Sequence, residues 1–118
     1  MSVVANIVIA VIALLHVYFL VLEMFLWTKP TGRRAFGLTA EFAEQSKALA
    51  ANQGLYNGFL AAGLVWGLSL GFAGFSIKLF FLVCVLIAGI FGGLTVSRKI
   101  LWIQALPAVI ALLLLLVV

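Results

Sequence analysis

The sequence is poor in almost everything that a water-soluble enzyme relies on. Only 8% of its 118 residues are charged, three of those are acidic, and there is one histidine, one cysteine and two prolines. Soluble domains carry roughly a quarter charged residues, so an ordinary solvated exterior is excluded. The lone cysteine, Cys84, excludes an internal disulfide, and with no second thiol or histidine a clustered metal site is not expected. Cys84 lies within Phe80-Phe81-Leu82-Val83-Cys84-Val85 and reads as a packed core thiol. The basic residues border apolar runs and never form an extended polar surface, which argues against nucleic acid despite a net charge of +4. No strand precedes the glycines, which argues against a phosphate-binding loop. The first apolar run lacks a basic leader and a small-residue cleavage pattern, so a retained helix is expected rather than a signal peptide.

What is present is hydrocarbon, at 67% hydrophobic residues and a mean hydropathy of +1.37. At about 20 apolar residues per crossing, the chain accommodates four spans and little else. The expected fold is an all-α integral membrane protein, one domain over residues 1–118, with helices at about 3–27, 40–71, 76–97 and 100–118 forming a four-helix transmembrane bundle. Trp27 suits the interfacial aromatic belt, Thr28-Lys29-Pro30-Thr31-Gly32 breaks the first helix, and a basic loop with Arg33 and Arg34 follows. Thr39 is a candidate cap for a second helix that begins in water, through the strong helix formers of residues 40–50, and continues into the membrane. A very short turn then makes the second and third helices antiparallel neighbours.

Charge sets the orientation. Lys29, Arg33, Arg34, Lys47, Arg98 and Lys99 fall in the first and third connections, and Lys78 alone in the second. The positive-inside rule places the first and third connections in the cytoplasm and both termini outside, a multi-pass protein of the cell inner membrane. Ala50, Gly54, Gly58 and Ala62 on the second helix, and Ala88, Gly89, Gly92 and Gly93 on the third, are rows of small residues that let helix backbones approach closely.

Against this background the polar residues stand out. The run Ile12-Ala13-Leu14-Leu15-His16-Val17-Tyr18-Phe19-Leu20-Val21-Leu22-Glu23 holds an imidazole and a carboxylate. A charged side chain in mid-membrane costs roughly 2.5 to 3.5 kcal/mol on translocon-type scales, so such residues mark function by default. At seven residues' separation His16 and Glu23 return to nearly one helix face, about 10 Å apart along the axis. By helical rise, Glu23, Gln53 and Gln104 lie about 6 Å inside the cytoplasmic boundary, Asn57 about 12 Å, and His16 near the midplane. Asn52 and Tyr56 are four apart, as are Gln53 and Asn57, so the second helix presents amides and a phenol over a limited arc. Pro107 has no N–H for the carbonyl of Ile103, which predicts a free acceptor and a bend beside Gln104. The opposite leaflet holds little beyond Asn6, Ser69 and Ser76, so a through-path is not expected and a blind pocket, open to the cytoplasm or the inner leaflet, is.

Each residue also has a plain structural reading. His16 could be a hydrogen-bonded core histidine, Glu23 could snorkel or pair with Arg98, and the amides could be inter-helix glue. Arg33, Arg34 and Lys99 read as orientation anchors. Convergence on one leaflet favours function.

The string His16, Glu23, Asn52-Gln53-Gly54-Leu55-Tyr56-Asn57-Gly58-Phe59-Leu60, Thr95-Val96-Ser97-Arg98-Lys99 and Gln104-Ala105-Leu106-Pro107 resembles an uncharacterised family of small four-helix bacterial membrane proteins, a numbered domain of unknown function. That resemblance covers nearly the whole chain and implies no established activity. More distantly, Lys47-Ala48, Asn52, Phe59-Leu60, Ser97-Arg98, Gln104 and Pro107 resemble the membrane-associated proteins in eicosanoid and glutathione metabolism. This second resemblance implies a four-helix subunit in a trimer with cytoplasmic-leaflet sites. Ala50 and Gly54 stand near the places where that family carries arginine and glutamate, so glutathione chemistry is not implied.

The expected function is therefore a cytoplasm-facing intramembrane pocket for a small amphipathic or lipid-like ligand, in a homo-oligomer in contact with membrane lipid. Glu23 and His16 are its candidate catalytic or ligand-orienting pair, Asn52, Gln53, Tyr56, Asn57 and Gln104 its lining, and Arg98 its contact for an anionic group. The sequence names no cofactor. A transferase-like enzyme, a proton-coupled exporter of hydrophobic cations and a structural or interaction subunit remain the three classes.

Overall fold

The computed structural model describes residues 3–117, and these contain helices and turns but no strand. Helix α1 (Val3–Met24) takes up the first apolar run. It stops before Trp27, shorter than the expected 3–27, because the Val21 carbonyl accepts both the Phe25 and the Leu26 N–H, at 3.0 and 3.2 Å. A bond from residue six back to residue one is the usual helix-ending closure. The basic loop expected next is instead a short helix, α2 (Pro30–Phe36), with Pro30 in its first turn and Gly37 in the left-handed conformation at φ 65° beyond its end. Proline suits a first turn, where its missing N–H would have no partner anyway. The Pro-Gly pair read as a breaker thus starts a helix, and Arg33 and Arg34 lie in its last turn.

Helix α3 (Ala40–Ser69) is capped as expected, with the Phe42 N–H donating to Thr39 Oγ1 at 3.1 Å. A 3₁₀ turn, Gly71–Gly74, with Gly71 at φ 59°, leads directly into α4 (Phe75–Thr95). The last segment is not one regular helix. A π turn, Leu101–Ala105, is closed by the Leu106 N–H on the Leu101 carbonyl and precedes α5 (Leu106–Val117). The irregularity predicted at Pro107 therefore takes the form of a widened turn just before it, a usual way for a helix to accommodate a lost backbone bond. Two segments, Val3–Met24 and Gly71–Thr95, are long and apolar enough to cross a membrane, and Leu101–Val117 is apolar but shorter.

The chain divides into two compact units. The larger comprises residues 3–14 and 60–117, with a core of Ile9, Ile12, Ala13, Leu64, Leu82, Val85, Ala108, Ala111 and Leu115. Lys78, expected as the cation of the second connection, is instead buried within α4 at 3% exposure, its Nζ donating to Asn6 Oδ1 at 3.2 Å. The smaller unit, Leu15–Phe59, holds the end of α1, all of α2 and the first two-thirds of α3.

Small residues form the helix contacts, as their spacing suggested, although Ala62 is exposed while its neighbour Ala61 is buried. A four-residue repeat drifts by about 40° per step on a 3.6-residue helix, so Ala62 has rotated about 120° from Ala50. The closest approach of α4 to another backbone is at Gly89, where a Cβ would lie 2.5 Å from the backbone N of Ala105. At Gly92 it would meet only the flexible side chain of Ile100, at 3.1 Å. Gly89→Ala is therefore expected to cost about 1–3 kcal/mol by overpacking, and Gly92→Ala well under half of that. Thermal unfolding of both variants in detergent checks this, and equal shifts would remove the backbone contact as the cause.

Candidate functional site

The polar residues of the smaller unit are placed by two helix segments. On α1, His16 is fully buried and Glu23 half-buried, consistent with the shared face expected from their spacing. The His16 ring packs edge-on against Phe19, with centroids 5.4 Å apart. On α3, Gly54 and Asn57 are buried one turn apart. A Cβ on Gly54 would lie 3.1 Å from Glu23 Cβ and 3.3 Å from the Leu20 carbonyl oxygen, so absence of a side chain there lets α3 come against the end of α1. That approach brings Asn57 Nδ2 within 2.6 Å of Glu23 Oε1, to which it donates.

The Glu23–Asn57 bond pairs two of the eight sequence-predicted site residues directly. Asn57 is 6% exposed, and its neighbours in the predicted lining differ from it: Asn52, Gln53 and Tyr56 are exposed on the single chain. The Tyr56 ring lies 5.9 Å from that of Phe59. On a helix the four-residue spacing from Gln53 to Asn57 does not guarantee equal burial, since Gly54 marks the middle of the contact face and Gln53 falls about 100° away from it. The lining predicted from depth alone is thus divided by helix rotation.

The remaining two candidates belong to the larger unit. Gln104 is half-buried within the π turn. Arg98 is exposed in the link after α4 and lines a surface cavity of about 320 Å³ with Thr95, Ser97 and Leu101 among others. Ser97 Oγ accepts from the Lys99 N–H at 3.3 Å, which shapes this link. A second cavity, of about 280 Å³, is lined by Pro30, Arg33, Arg34, Gly37 and Leu38. Among the described residues no group of three or more His, Cys, Asp or Glu is disposed to hold a metal ion.

Two polar ties were not foreseen. Trp27, expected at an interface, donates from Nε1 to Ser46 Oγ at 3.0 Å and packs on Phe36 at a centroid distance of 4.9 Å. Ser46 in turn donates to the Phe42 carbonyl at 2.6 Å, so α2 and α3 are linked through one indole. The other is Lys78 with Asn6; the available signal was a lone cation and a lone amide in a leaflet otherwise nearly devoid of polarity.

Comparison with known proteins agrees with a chain of this size and pattern. A family model described as a protein of unknown function, DUF1304, matches residues 10–116. The uncharacterized protein YpaA of Lactococcus lactis subsp. lactis (strain IL1403) is 32% identical over 103 residues, covering 86% of this chain and 87% of the relative. No solved structure matches. The chain belongs to the DUF1304 family of proteins of unknown function.

Proposed function

We propose that the chain is a multi-pass inner-membrane protein that holds a small amphipathic or lipid-like ligand at a polar site built on Glu23 and Asn57. The observation that carries the membrane reading is where polarity sits. His16 and Asn57 are buried at 0% and 6% exposure, whereas Leu14 and Phe91, within the two longest apolar segments, are 69% and 68% exposed. Burying apolar area contributes about 25 cal/mol per Å² in water, so this arrangement discards stabilisation in water and none in hydrocarbon. The four crossings are α1, the apolar part of α3, α4, and the π turn with α5. The polar start of α3 stands in the cytoplasm and both termini outside.

Within this reading Glu23 is the polar centre. An ionised carboxylate has about four acceptor positions, and the bond from Asn57 occupies one of them. What is left is capacity for a donor on a ligand. His16, on the same face of α1, is the second group able to give or take a proton there. In the larger unit, Gln104 sits in a π turn, a feature that recurs at functional positions, and Arg98 stands as a cation beside a cavity of its own. The exposed amides of Asn52 and Gln53, costly in lipid, would be covered by further copies of the chain, in keeping with the trimer of the more distant family it resembles.

Two outcomes test the site. Asn57→Ala strips Glu23 of its hydrogen bond and is expected to destabilise by about 1–3 kcal/mol, whereas Glu23→Gln keeps an oxygen for Asn57 and should cost under about 1 kcal/mol; thermal unfolding in detergent gives both values. Native mass spectrometry of the purified protein should show a co-purifying small molecule on the wild type that Glu23→Gln has lost while helicity is retained. Identical spectra for the two proteins would leave the pair as structural glue.

A further inference from the structure

Helix α2 carries residues that the Glu23 site does not use. Pro30 fixes the start of this seven-residue helix and Gly37 its end, so Arg33 and Arg34 are held in the last turn of a short, well-defined helix. Between Pro30, Arg33, Arg34, Gly37 and Leu38 lies the cavity of about 280 Å³, near the lower limit of ligand pockets, about 300 Å³. Arg33 is half-buried, and its Nε is sealed from solvent with no hydrogen-bond partner, the one side-chain nitrogen or oxygen so stranded among the described residues. A buried donor left unpaired is costly and calls for an acceptor. Of the three acidic side chains, Glu44 is engaged by Lys47 and Glu23 by Asn57, and Glu41 is exposed in the first turn of α3. Two adjacent guanidinium groups form planar forks that match the oxygens of a phosphate better than any single neutral acceptor. The surroundings say which kind of phosphate. Phe25, 64% exposed, and the exposed Phe36 flank the arginines in sequence, and Leu38 lines the cavity itself. Cations next to exposed aromatic and aliphatic side chains fit the headgroup boundary of a bilayer rather than a free anion in water.

We propose that the cavity of Pro30, Arg33, Arg34, Gly37 and Leu38 binds the phosphodiester of an anionic phospholipid, with Arg33 as its main ligand and Arg34 as the second. The site lies on α2, apart from the Glu23–Asn57 pair, so either can fail without the other. The test is native mass spectrometry of the full chain in a neutral detergent, titrated with phosphatidylglycerol, with phosphatidylcholine and with inorganic phosphate. The wild type should retain phosphatidylglycerol over phosphatidylcholine. Arg33→Gln should weaken that retention about fivefold, the factor that one cation is worth at an anionic surface. Arg34→Gln, at an exposed position, should weaken it less, and the double variant should bring it to the phosphatidylcholine level. Lys47→Gln removes one exposed positive charge from α3 and should change nothing. Equal retention by the wild type and both arginine variants would overturn the proposal. So would an equal loss in Lys47→Gln, which would reduce the effect to net charge, or displacement of the lipid by inorganic phosphate at low millimolar concentration, which would make this a free-anion site.

Discussion

In a chain this apolar, the polar side chains that fold inward need partners, and three ties between separate segments answer that need. Away from water an unsatisfied amide or ammonium has nothing to fall back on. Asn57 turns to Glu23, Lys78 to Asn6 and Trp27 to Ser46, each bond joining segments far apart in sequence. Helix ends obey the same requirement: the closures on Val21, Arg33 and Gly92 each satisfy a terminal carbonyl twice. Glycine makes these meetings possible. Without the bare backbone at Gly54, α3 could not come close enough to α1 for a 2.6 Å bond.

How much of this could be read beforehand depended on range. Helical identity and the extents of α3 and α4 followed from apolar runs and a threonine cap, which are local signals. The end of α1 and the presence of α2 did not, because proline and glycine serve helix starts as well as helix breaks, and only backbone bonding decides between them. For the site, sequence spacing correctly placed His16 and Glu23 inward on one stripe. It failed to separate Asn57 from Asn52, Gln53 and Tyr56, since position along a helix is legible from sequence whereas helix rotation is set by the partner helix. Lys78 was misjudged for the same reason: its position near a turn said nothing of the asparagine at the other end of the larger unit that would receive it.

Membership of an uncharacterised family leaves the chemistry to be argued from these groups alone. Three cationic clusters then have separate tasks. Lys78 is consumed in a tie between helices, Arg98 overlooks a cavity in the link after α4, and Arg33 with Arg34 rim another on a short helix. The positive-inside rule treats such residues as interchangeable charges, yet burial and partners divide these four into one buried, paired cation and three arginines that line cavities.

Lys78 and Glu23 differ in what their surroundings require of them. Both are ionisable and both donate to or accept from one asparagine. Lys78, however, runs its aliphatic stem past Gly67 near the end of α3 and brings its ammonium to Asn6, which ties two helices of the larger unit. Glu23 has a less favourable setting. It is the last residue but one of α1, whose final turn carries no basic residue, and a carboxylate at that pole is repelled by the carbonyls around it. A glutamine at this position would keep an oxygen for Asn57 without that repulsion. A group that is locally unfavourable, and for which a cheaper substitute exists, is better explained by something outside the helix that requires a negative or proton-carrying oxygen than by the stability of the helix itself.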